Sequence, residues 1–132
     1  MKIKTNTDLG LLLIRFGMGV SFCYFYGFAK LMGGPHLWEG LGANMGKIGV
    51  HFFPVVWGFM AALSESLGGV LLVLGIFTRT AAACLACTMI VAVIHHVTSG
   101  DGLAKASHAI EAGMVFLALV AAGSGKYAIR PS

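Results

Sequence analysis

Val70-Leu71-Leu72-Val73-Leu74, near the end of an apolar stretch running from Pro54 to Gly75, decides the fold. A transmembrane β-strand alternates polarity over roughly ten residues. These five positions do not alternate, and neither does Leu11-Leu12-Leu13-Ile14 nearer the N-terminus. An α-helix crosses a bilayer with about 20 apolar residues, which is the scale of the Pro54–Gly75 stretch. Working outward, three more such stretches lie at about residues 10–29, 80–97 and 103–123. Gly33-Gly34-Pro35 ends the first, Pro54 opens the second, and Ser99-Gly100-Asp101-Gly102 turns the third into the fourth. The expected fold class is all-α: an integral membrane four-helix bundle with a Gly-rich interfacial segment between helices 1 and 2. The whole chain, 1–132, reads as a single domain.

Composition agrees. The chain is 58% hydrophobic and 11% charged, with a mean hydropathy of +0.87, whereas an average soluble domain is about a quarter charged. A soluble monomer, a disordered chain and a nucleic-acid binder are all poor readings, and the lipid bilayer is the expected partner. The first span contains Arg15 and lacks a small-residue cleavage site, so it does not read as a cleaved signal peptide. With four spans, the chain ends and the second-to-third turn share one side, which collects Lys2, Lys4, Arg79, Lys126 and Arg130. The opposite side has Lys30, Lys47 and Lys105, partly offset by Glu39 and Asp101. The bias predicts that both termini are cytoplasmic.

The connection 33–53 is rich in glycine and in large apolar residues. Two arrangements fit it. One is an interfacial segment anchored by Trp38; the other is a short lid over a cavity, with His36, Glu39 and His51 at its rim.

Three charges fall well inside spans: Arg15, Glu65 and Glu111. Each costs at least about 2.5–3.5 kcal/mol near a helix centre unless paired or hydrated, and such residues usually face the bundle interior. At 1.5 Å per residue, their depths from the cytoplasmic end are roughly 8, 15 and 18 Å. An Arg15–Glu65 pair is within reach of an arginine side chain. His95 and His108 fall at roughly 22–24 Å, and His108 and Glu111, three apart, share a helix face. The expected inward cluster is Glu65, His95, His108 and Glu111 with Arg15 below it, while His96 points about 100° away from His95. Such a cluster suits quinone binding with proton exchange, a metal such as zinc or iron, a solute passage, or a polar network that only locks helix packing. No metal is assigned. Ala61, Gly68 and Gly69 beside Glu65, and Gly19 beside Arg15, mark close helix contacts.

Cys84-Leu85-Ala86-Cys87 has the spacing of a thiol redox motif. Its surroundings are apolar, and within a continuous helix its sulfurs lie on neighbouring turns, so packing is the expected role of both cysteines and redox work the alternative. Ser21 and Ser64 have no histidine at matching depth for nucleophilic catalysis.

The run Ala62-Leu63-Ser64-Glu65-Ser66-Leu67-Gly68-Gly69, its apolar continuation, and Gly75-Ile76-Phe77-Thr78-Arg79 resemble the DoxX family. Leu13-Ile14-Arg15, Tyr26-Gly27-Phe28-Ala29-Lys30-Leu31, Thr88-Met89, His95, Glu111 and Gly125-Lys126-Tyr127 extend the resemblance over nearly the whole chain. The chain departs at Tyr26, where many relatives carry His. The resemblance implies a four-helix protein of the bacterial inner membrane associated with oxidoreductase systems. DoxD relatives serve as the small membrane subunit of thiosulfate:quinone oxidoreductase, and other members are linked to membrane complexes handling thiol and oxidative stress. The function expected here is a small membrane subunit of a redox assembly. Glu65, His95, His108 and Glu111 bind a quinone or similar molecule and relay its protons, and Arg15 holds Glu65 ionised. No residue set suits a haem or iron–sulfur cluster, so electrons require a partner protein. A membrane scaffold and a small-solute carrier are the alternatives, and a homo-oligomer is expected.

Overall fold

Asn6 starts the first helix by accepting the Leu9 amide on its side-chain oxygen at 3.0 Å, which satisfies one of the donors a helix start leaves orphaned. The computed structural model describes residues 6–132; Lys2 and Lys4, which entered the orientation argument, lie outside the described residues. Helix α1 runs Thr7–Met32 and changes to π-helical turns over Ser21–Gly27. Such turns are rare and occur often at functional sites. Three more spanning helices follow: α3, Pro54–Leu74, α4, Thr78–Thr98, and α5, Gly102–Ala122. No strand occurs among the described residues.

The glycine-rich connection is largely helical. Helix α2, Gly34–Gly42, begins with Pro35 in its first turn and continues as a 3-10 helix over Ala43–Ile48. Gly49, at φ 93°, ends it, a conformation open to glycine at no steric cost. Helix α2 lies directly on the start of α3. A methyl group at Gly42 would collide with the Pro54 carbonyl, and one at Gly58 with the Trp38 carbonyl, so both positions require hydrogen in place of a side chain.

Helices α4 and α5 form a hairpin, and α3 packs against α1, α2 and α4. Successive spanning helices run in opposite directions, which puts the start of α1, the end of α3, the start of α4 and the end of α5 on one face. The core holds Leu72, Leu85, Met89 and Leu119, with Phe22 of α1 edge-on to Phe116 of α5 at 4.9 Å between ring centres. Buried Ala62, Ala82, Ala86, Ala106, Ala109 and Ala112 let the helices approach closely. Leu13, Phe16, Phe25, Phe28, Met114 and Leu117 are exposed, as lipid-facing residues should be.

The segment 123–132 folds back across the face that carries the chain ends. Ile129 and Arg130 amides donate to the carbonyls of Leu74 and Gly75 at 3.0 and 3.1 Å, and the Lys126 amide donates to Asp8 Oδ1 at 3.0 Å. The tail thus ties the start of α1 to the end of α3.

Candidate functional site

A cavity of about 450 Å³ lies between the helices in the half of the bundle away from the end of α3 and the start of α4. Every spanning helix contributes to it. Phe22, Tyr26 and Lys30, spaced by four on α1, line one wall; Met60, Ser64 and Glu65 of α3, Cys84, Cys87 and Thr88 of α4, and His108 of α5 line the others. Leu41, Asn44 and Met45 roof it, so the connection acts as a cover, while His36, Glu39 and His51 stay outside the lining. Trp57, His96 and Lys105 stand near the roofed end. Glu65 and Thr88, about 14–15 Å from the opposite helix ends by rise per residue, lie toward the floor, with Cys84 one turn below Thr88.

Glu65 is 2% exposed and pairs with Lys30, whose Nζ lies 2.8 Å from each carboxylate oxygen. Arg15 does not reach it. The reason is side-chain direction: Cα–Cβ bonds lean toward a helix N-terminus. On α1 that direction brings Lys30 down into the bundle and sends Arg15 toward the chain ends. On α3, which runs the other way, it lifts Glu65 toward Lys30. Arg15 is fully buried and donates instead to the carbonyl of Leu72 at 3.2 Å and to that of Tyr127, holding the tail against α3.

The expected inward cluster is therefore rearranged. His108 faces the cavity, stacked on Phe22 and 5.2 Å from the ring of Tyr26. Glu111 is exposed. Three residues on a helix turn about 60° short of a full circle, and that step carries Glu111 away from the buried stripe Ala109, Ala112 and Phe116. His95 lies outside the cavity lining, where Lys47 of the 3-10 helix contacts its Nδ1 at 3.2 Å and Ser99 Oγ at 2.9 Å. The neighbouring His96 lines the cavity instead. Cys84 and Cys87 are free, exposed and cavity-lining.

Sequence reasoning missed Lys30, which it counted only as a charge ending a span, along with Tyr26, Trp57, His96 and Lys105. The lean of side chains toward helix N-termini was the available signal for Lys30. The π-helical turns that help set the facing of Tyr26 leave no comparable signal.

His95, His96 and Asp101 place potential metal-ligating atoms within 4.8 Å of one another. Lys47 against His95, and Lys105 close enough to lower the Asp101 pKa, make this a poor cation site. His96 Nδ1 lies 3.0 Å from Asp101 Oδ2. That hydrogen bond, helped by the Lys105 charge, holds the Asp101 carboxyl below its usual range. A carboxylate lowered in the folded state stabilises the fold above its ordinary pKa of about 3.9, and the contribution fades as pH falls from there through the lowered value. Thermal midpoints measured from roughly pH 5 to pH 3 should fall more steeply for wild type than for Asp101→Asn. Parallel falls would show that the contact carries no stability.

The lining as a whole is apolar, with a few convergent polar groups, the usual character of a small-molecule site. A family model described as DoxX matches residues 10–97. No curated protein and no solved structure matches the chain.

Proposed function

The chain belongs to the DoxX family, and from that premise we propose that it is the small membrane subunit of an oxidoreductase assembly, binding a quinone or similar ring in the roofed cavity. The observation that carries this reading is an ion pair of half-buried Lys30 with buried Glu65 low in a largely apolar cavity. A charged pair in the membrane interior is costly to maintain and marks functional sites more often than it marks lipid-facing surface. Phe22, Tyr26 and His108 supply flat faces for a ring. Glu65 and His108 exchange protons with it, and His96 with Asp101 continues toward the roofed end. Arg15 serves the tail, and His95 and Glu111 stand outside this set. Electrons are exchanged with a partner redox protein. The family's expected setting is the bacterial inner membrane, with both termini cytoplasmic on the bias of basic residues.

Filling the cavity tests the reading. Purified chain in lipid nanodiscs should quench its tryptophan fluorescence when titrated with a short-tailed quinone, and Ala61→Trp, which builds an indole into the cavity wall, should abolish the saturable binding. Glu111→Gln should bind as wild type does. Saturable binding that survives Ala61→Trp removes the cavity from the account. Absence of any quinone or hydroquinone binding by wild type returns the chain to a scaffold role, or to a carrier if solute flux appears in liposomes holding the chain alone.

A further inference from the structure

At the cavity floor the acceptor is the Glu65 carboxylate, and the one strong donor beside it, the Lys30 ammonium, is already drawn onto that carboxylate. Only Oε1 of Glu65 lies in hydrogen-bond geometry with Lys30; Oε2 is buried with no hydrogen-bond partner among the described residues. Thr88, at the same depth on α4, donates its hydroxyl proton to the Leu85 carbonyl at 2.7 Å, so only its lone pairs remain for a ligand. Nearer the roof the polarity reverses. The indole N–H of Trp57 is buried without a partner among the described residues, and Lys105 adds a cation. Oε2 lies 2.8 Å from the Lys30 ammonium and keeps lone-pair capacity beyond that ionic contact, and a hydrogen bond to a charged group is among the stronger ones.

Resting on the quinone reading above, we propose that the cavity selects the reduced, hydroxylated form of the ring, a hydroquinone or related phenol, whose hydroxyl donates to Glu65 Oε2. A quinone carbonyl at that place would set lone pair against lone pair. Acceptor substituents on the outer side of the ring would be met by the Trp57 N–H, two turns along the same helix from Glu65.

The test compares three short-tailed ligands of one ring skeleton under anaerobic conditions: the hydroquinone, its quinone and its dimethyl ether. Titrations follow the tryptophan fluorescence of the full chain in nanodiscs. The hydroquinone should bind at least about tenfold more tightly than the ether, the scale of one charge-assisted hydrogen bond, and more tightly than the quinone. Glu65→Gln should bring hydroquinone and ether to within about threefold, because the neutral amide accepts more weakly and can turn a donor to the carbonyl form. Should Glu65→Gln fail to fold, Glu65→Asp keeps a carboxylate for Lys30 while drawing its oxygens back, and should reduce the same ratio. Equal binding of all three ligands by wild type, or a ratio unchanged in the folded variant, overturns the selection while leaving a quinone site in place. Binding of none of them removes the quinone reading, and the selection with it.

Discussion

Lys30→Met is expected to destabilise the protein by about 3–5 kcal/mol, the cost of leaving a buried charge without its partner. Thermal unfolding of purified protein, followed by circular dichroism, measures it. The cause is Glu65, 2% exposed, whose only ionic partner among the described residues is Lys30. If methionine removes the cation, the carboxylate must either remain uncompensated or take up a proton. The double variant Lys30→Met/Glu65→Gln should recover most of the loss, since replacing a buried pair as a unit is often close to neutral. The resulting coupling should exceed about 2 kcal/mol, whereas Arg15 and Glu65 should couple by less than about 0.5 kcal/mol, as groups without contact do. A strong Arg15–Glu65 coupling, or an unchanged midpoint for Lys30→Met, would overturn the pairing described here.

Arg15→Ala should be comparably severe, at about 3–5 kcal/mol, through a different route. It empties the volume of a fully buried side chain, a loss of the same order as truncating a large core residue. It also strips the carbonyls of Leu72 and Tyr127 of a charged donor. Because the same guanidinium holds the tail, carboxypeptidase should trim 123–132 in the variant at low temperature and spare wild type. Arg15→Lys should rescue only in part, since an ammonium lacks the planar fork that serves two carbonyls at once. Equal trimming of wild type and Arg15→Ala would show that the tail is held by its backbone hydrogen bonds alone.

These two variants separate charges that look alike in the sequence. Arg15 and Glu65 both interrupt apolar runs, and depth counted at 1.5 Å per residue places them within reach of each other. Depth, however, ignores where the side chain leans. Helix polarity sends Arg15 to the chain ends and Lys30 into the bundle. Lys30 itself lies near the end of its span, where a basic residue needs no special explanation. His95 and His96 show the same limit at finer scale: one residue is 100° of rotation, and the choice between them depended on how α4 settles against α5 and the 3-10 helix. Glu111 was lost through a 60° error in the buried face of α5.

Hydrophobic runs and their punctuation were enough to establish four spanning helices, their approximate limits and the presence of costly charges inside them, because lipid permits few backbone solutions. The family followed from Glu65-Ser66-Leu67-Gly68-Gly69 and Gly75-Ile76-Phe77-Thr78-Arg79. The partner of each charge, the helical roof made from the glycine-rich connection and the cavity beneath it came only with packing. They depend on helix rotation, on the π-helical turns of Ser21–Gly27 and on the close approach of α2 to α3 at Gly42 and Gly58. Those are relations between distant segments, and local pattern carries no record of them.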